Sequence, residues 1–332
     1  MTLNELGQGD TVALVSPSGS AAKLFPHRLE AAIDFLEGQE FEVKEYDHTR
    51  SEGKQPWNAA TPEQRAEDLM NAFTDDEVDG IIATIGGLTA NSVLPHLDFD
   101  KIKENPKFFC GYSDITVLHY ALNEKADLQT FYGPTAIPEL GEYPEPLSYT
   151  TNEFLNAAKG DWRGKKEPSE EWTEEMLDWM EKEDLERPRE KLGNPGYQWL
   201  REGKAEGELI GGCLPSILRT AGTEYWPDHE GKILFLETPE GDPGEPYPVS
   251  DAEADIAQLD LIGVLEEIEG LVVGRPYQYS EDEEESFKQI LKDYTNVPIL
   301  YGADIGHTDP QLTLPYDADG VIDSDQNLFE IE

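Results

Sequence analysis

Strand-like and helix-like segments alternate through the first third of the chain, and that order leaves few folds open. TVALVSPSG (11–19) reads as a strand running into a turn, HRLEAAIDFLEGQ (27–39) as a helix, and FEVKEY (41–46) as a second strand. In TPEQRAEDLMNAF (61–73) Thr61 caps a helix, Pro62 sits in its first turn and Gln64 completes a capping box. VDGIIATIGG (78–87) gives a third strand ending in a Gly-Gly turn, and FFCGYS (108–113) a fourth. Such an order implies a parallel sheet covered by helices, an α/β fold in which ligands bind beyond the carboxyl ends of the strands. Ser16, Gly86, Gly87 and Ser113 fall at such ends.

Ser113 stands where the apolar run of PKFFCGYSDITVLHYAL (106–122) breaks and at once resumes with helical spacing, at Ile115, Leu118, Ala121 and Leu122. Two readings fit a serine on so sharp a strand-to-helix turn. Ser113 or Asp114 caps the helix, or the turn is a nucleophile elbow that lifts the hydroxyl from the sheet edge and aims the first helical N–H groups at a developing oxyanion. The familiar elbow has a second glycine where this chain has Ile115.

From about 145 to 200 the pattern changes to a stretch rich in charge, Trp, Pro and Gly, which reads as a connector or a loop over a site. Beyond it, segments such as AEGELIGGCLPSILRTAG, GKILFLETPE and VPILYGADIG make a second α/β unit ending in hairpin-like strands. The expected division is therefore 1–145, 146–200 and 201–332.

If Ser113 is a nucleophile it needs a base, and the chain has six histidines. His27 and His119 fall within helical patterns, His48 and His229 in polar stretches, and His96 before an Asp. His307 follows a strand in a Gly-flanked turn, the place for a side chain that projects from a strand end; it also fits an exposed loop histidine. Glu237 closes the apolar strand ILFLE. It reads either as a surface glutamate or as the carboxylate that would fix the His307 tautomer and stabilise its imidazolium.

The formal charge is −45, with 25 basic against 70 acidic residues. The 38% hydrophobic content argues against an acidic disordered chain. Acid spread over every surface is the pattern of a protein working near molar salt, where a Debye length of about 3 Å screens self-repulsion. Nucleic acid and anionic membrane are poor partners for such a surface. The start of the chain lacks a signal-peptide pattern and no run reaches a membrane span, so the expected compartment is the cytoplasm, with Cys110 and Cys213 as reduced thiols.

TIGGLTANSVLPHLDFDKIKENPKFFCGYSDITVLHYAL, TFYGP, LIGGCLPSI, ILFLET and ILYGADIGHTDPQLTLPYDA resemble, in order and spacing, the motifs of the LD-carboxypeptidase family of serine peptidases. The resemblance covers most of the chain outside 145–195. It implies a Rossmann-like N-terminal domain, a smaller C-terminal α/β domain and homodimers. It places the family's Ser-Glu-His triad on Ser113, Glu237 and His307, and the backbone oxyanion hole on Asp114 and Gly87, with Gly86 beside it as a substrate contact. The length, the Trp-bearing insert, NPGYQW and GTEYW look closer to the microcin C immunity branch, which cleaves the amide joining an aminoacyl group to a modified nucleotide. That branch covers the nucleotide with an aromatic residue on a mobile loop, a part that falls on Trp172 or Trp179; both tryptophans also fit as covers of a core edge. Where that branch often has Asn after the Gly-Gly pair, this chain has Cys213.

The substrate expected from this likeness is a small molecule or peptide, cleaved without cofactor or metal. No His-Glu-x-x-His motif or ligand cluster occurs, and the first strand is not followed by Gly-x-Gly-x-x-Gly. The rivals are a murein tetrapeptide carboxypeptidase and a nucleotide-binding protein without catalysis. A salt-adapted host, most often an archaeon without murein, disfavours the first.

Overall fold

The structure, a computed structural model, describes residues 5–241 and 244–332. Thr11–Val15, Glu42–Glu45, Gly80–Ala83, Phe108–Gly111 and Phe131–Tyr132 form a parallel sheet, with Thr11–Val15 between Glu42–Glu45 and Gly80–Ala83. Leu314–Pro315, from far along the chain, adds an antiparallel edge to Phe131–Tyr132. The inner strands are buried on both faces because helices cover both sides, as their unbroken apolar runs require. Thr61 and Gln64 make both bonds of the expected capping box, and Ser280 and Glu283 make a second one.

The second sheet is built on Lys204–Cys213, Ile233–Glu237, Gly270–Gly274 and Ile299–Ala303, all parallel. Lys204–Cys213 is long enough to pair twice: its first half lies antiparallel to Asp319–Asp323, its second half parallel to Ile233–Glu237. Asp319–Asp323 and Leu328–Ile331 are the C-terminal hairpin.

The 146–200 stretch holds more regular structure than its composition suggested. Ser148–Ala158 is a helix, Gly164–Lys165 pairs with Leu328–Ile331 at one edge of the second sheet, and Gln198–Arg201 pairs with Ile299–Ala303 at the other. Between them Glu171–Trp172 pairs with Leu192–Gly193. The sheet edges supply backbone partners that no local pattern of hydrophobicity announces.

One apolar cluster runs from Leu14 and Phe131 of the first sheet through Phe235 and Leu300 of the second, so the two units share a core. His229, expected in a polar stretch, is buried against Trp226 and Tyr120, and burial lowers its pKa to about 4. Cys110 and Cys213 are buried free thiols. Among the described residues no helix is long and apolar enough to cross a membrane, and no cluster of His, Cys, Asp or Glu could hold a metal ion.

Candidate active site

Phe108–Gly111 ends at the sheet edge, and Ser113 follows in the left-handed region at φ +62° before a short 3-10 turn enters the helix Thr116–Ala126. A residue with a Cβ adopts that conformation at a cost of about 1–3 kcal/mol, so surrounding contacts must hold it. The Ser113 N–H donates to Tyr132 Oη at 3.2 Å, and its carbonyl accepts from Thr116 Oγ1 at 2.6 Å. Against it lies the Gly86–Gly87 turn; a Cβ on Gly86 would stand 2.7 Å from the Ser113 Cβ, so only glycine allows that approach. Asp114 serves this junction with its side chain. Its buried carboxylate accepts from Ser18 Oγ at 2.6 Å and from the Ala90 N–H at 2.8 Å, and pairs with Arg219.

Glu237 and His307 arrive from the second sheet. Glu237 closes the strand Ile233–Glu237, and His307 follows Ile299–Ala303 through a turn in which Gly306 has φ +95° and a Cβ would collide with the Glu237 side chain. His307 Nδ1 lies 2.7 Å from Glu237 Oε2, and His307 Nε2 lies 3.0 Å from Ser113 Oγ. The other Glu237 oxygen accepts from Tyr132 Oη at 2.6 Å. With the carboxylate accepting at Nδ1, the imidazole presents a lone pair at Nε2 to the serine hydroxyl. Burial alone would lower the His307 pKa; the Glu237 carboxylate outweighs it, with added pull from Glu240, and the value lies above the ordinary 6.5.

The Ser113 hydroxyl opens on a cavity of about 830 Å³ whose wall includes Gly86, Gly87, Cys213 and Trp179. The structure thus brings together Ser113, Asp114, Gly86, Gly87, Glu237, His307 and Trp179. Trp179 is held by Arg28, whose guanidinium lies 4.2 Å from the ring centre, and by the edge of Phe25 at 5.2 Å. Of the two tryptophans offered for the covering role, Trp172 lies elsewhere. It is not part of the cavity wall, because its strand pairs with Leu192–Gly193 and its ring stacks on Arg275, 5.1 Å away.

Three residues of the site escaped sequence reasoning. Tyr132 sits inside the quoted TFYGP, but nothing local marks its hydroxyl as the link between Ser113 and Glu237. Glu139, buried in the cavity wall, accepts from Tyr112 Oη and from the Thr135 N–H and Oγ1. Burial, with the neighbouring Asp309 charge, pushes its pKa up to about 8. Arg189 reaches in from the 146–200 stretch and bridges Glu142 and Asp309 at 3.0 and 2.8 Å.

A hydroxyl on a strained turn, an oriented imidazole and a buried carboxylate can together activate a nucleophile for acyl transfer. Residues 12–133 match the LD-carboxypeptidase N-terminal domain and residues 206–322 the LD-carboxypeptidase C-terminal domain. The microcin C7 self-immunity protein MccF of Escherichia coli is 31% identical over 342 residues, covering 98% of this chain and 94% of the relative. The murein tetrapeptide carboxypeptidase of Pseudomonas aeruginosa is 31% identical over 240 residues, covering 71% of this chain and 67% of its own. The solved structure of MccF in complex with glutamyl sulfamoyl guanosine superposes with a TM-score of 0.89 at 28% identity, covering 99% of this chain and 97% of that one.

Proposed function

The chain belongs to the LD-carboxypeptidase family of serine peptidases, and from that premise we propose that Ser113, His307 and Glu237 hydrolyse an aminoacyl- or peptidyl-nucleotide amide through an acyl-enzyme. The observation that carries the reading is the line from Ser113 Oγ through His307 to Glu237, at 3.0 and 2.7 Å, on the cavity wall. Ser113 Oγ attacks the amide carbonyl carbon while His307 Nε2 takes the hydroxyl proton. The carbonyl oxygen becomes an oxyanion facing the N–H groups of Gly87 and Asp114; among the described residues neither donates to another acceptor. Collapse breaks the C–N bond, and His307 returns the proton to the leaving nitrogen. Water then repeats the attack on the ester, giving up its proton to His307, and the acid departs as Ser113 is restored.

The choice of a nucleotide rests on Trp179. An indole fixed on the cavity wall by Arg28 and Phe25 can stack on a base, worth about 1–3 kcal/mol by analogy with other aromatic contacts to bases. A murein tetrapeptide has no flat ring to receive it. The reading includes a homodimer, which sedimentation of the protein at working salt would test.

The test compares an aminoacyl sulfamoyl-adenosine with an L,D-linked tetrapeptide. We expect the nucleotide substrate to have the higher kcat/KM and Ser113→Ala to lower turnover by several orders of magnitude with the fold intact. Retained activity in Ser113→Ala removes the nucleophile. Preference for the tetrapeptide replaces the nucleotide reading with that of a murein carboxypeptidase.

A further inference from the structure

The nucleophile comes from one sheet and its base and acid from another, so some device must hold the two in register to within a fraction of an ångström. Two buried hydroxyls occupy that position. Tyr132, on the first sheet, accepts from the Ser113 N–H at 3.2 Å and donates to Glu237 Oε1, on the second sheet, at 2.6 Å. Thr116, in the first turn of the helix after Ser113, donates to the Ser113 carbonyl at 2.6 Å and accepts from the Cys213 N–H, on the second sheet, at 3.1 Å. Both side chains are fully buried.

Each hydroxyl has one proton to give, and each gives it in one direction. The first relay runs from the Ser113 N–H through Tyr132 to the Glu237 carboxylate, the second from the Cys213 N–H through Thr116 to the Ser113 carbonyl. The N–H and the C=O of the one strained residue are thus tied, through one hydroxyl each, to neighbouring strands of the other unit, Ile233–Glu237 and Lys204–Cys213. The Thr116 contact depends on Gly212, at φ +134°, where a Cβ would overlap the threonine side chain. Chains of hydrogen bonds polarise one another, and inside a protein they are stronger than in water.

We propose that Tyr132 and Thr116 are positioning residues that lock the Ser113 peptide, and with it the nucleophile, to the acid–base pair across the two units. The proposal rests on the Ser-His-Glu reading. It also gives the two hydroxyls different duties. Only Tyr132 touches Glu237, so it alone sets how strongly that carboxylate raises the basicity of His307. The same contact occupies the Ser113 N–H, leaving the oxyanion to Gly87 and Asp114.

Tyr132→Phe removes a donor from Glu237 and concentrates charge on the oxygen that faces His307. The His307 pKa then rises further, and the acid limb of kcat/KM moves to higher pH. Thr116→Val removes the other relay without touching Glu237. We expect both variants to lower kcat about 10- to 100-fold, as small displacements of reacting groups do, with KM within about twofold, and only Tyr132→Phe to move the limb. A difluorotyrosine at position 132, a stronger donor that keeps both bonds, should hold kcat near wild type and move the limb to lower pH. It also reads the proposal if either substitution fails to fold. The substrate is whichever of the two amides above the enzyme cleaves. Wild-type kcat in Tyr132→Phe, equal limbs in both variants, or an unmoved limb with difluorotyrosine overturns the proposal. Activity retained in Ser113→Ala would instead remove the reading beneath it.

Discussion

At Ser113 the backbone and the chemistry make the same demand. The left-handed turn lifts the hydroxyl off the sheet edge, and Gly86 lets the neighbouring turn come within contact of it. Gly86→Ala would set a methyl 2.7 Å from the Ser113 Cβ and 2.9 Å from its Oγ, so the serine must shift relative to His307. We expect kcat to fall about 100-fold with little change in Tm; a wild-type kcat would mean that the nucleophile moves at no cost. Glu139 offers a separate test. Its carboxyl, with a pKa of about 8 when folded against 4.5 in its ordinary state, stays protonated in the native protein while the unfolded chain has already lost the proton. Stability then falls as pH rises between those two values. Glu139→Gln carries no such proton, so the Tm difference should shift in favour of the variant from about pH 4.5 to about pH 8. A constant difference across that range would show that the native carboxyl is ionised.

At the scale of elements, the 146–200 stretch is where position and role meet. It touches both edges of the second sheet, sends Arg189 to Asp309 and carries Trp179 to the cavity. Trp179→Ala should erode preference for a nucleotide amide over a tetrapeptide about 5- to 150-fold, the range of one lost base stack. Trp172→Ala should leave that ratio unchanged, because its ring packs on Arg275 outside the cavity. Equal effects, or none from Trp179, would remove the stacking role. These two tryptophans also mark the limit of what the sequence makes legible. The alternating strands and helices of the first unit, the Thr61 cap and the ends of the strands at Ser113, Glu237 and His307 are local patterns, and local patterns can be read directly. Which tryptophan faces the cavity is decided by the pairing of Glu171–Trp172 with Leu192–Gly193, a contact between segments that carry no strand periodicity. Tyr132 was hidden for a related reason. Its partners lie 19 and 105 residues away, so its duty exists only once both sheets are assembled.

Over the whole molecule the governing quantity is charge. With 25 basic residues against 70 acidic ones, one-to-one pairing leaves most carboxylates without a cation. Several of the available cations are spent inside: Arg28 and Arg189 on Glu142, Arg219 on Asp114, Arg275 on Asp304. The exposed carboxylates are left to repel one another through solvent, where screening reaches about 10 Å at 0.1 M salt and about 3 Å at 1 M. The compact state should therefore be weaker at low salt. If the difference is about 2 kcal/mol, Tm falls by roughly 3 °C between 1 M and 0.1 M sodium chloride for a chain of 332 residues. Screening and salting-out are separable, because sulfate strengthens apolar burial in addition to screening whereas chloride mainly screens. We expect most of the gain to appear with chloride and to level off near 1 M, once the screening length is shorter than the spacing of neighbouring carboxylates. Gain with sulfate alone would assign the effect to the apolar core shared by the two sheets, and equal or greater stability at 0.1 M chloride would end the case for salt adaptation.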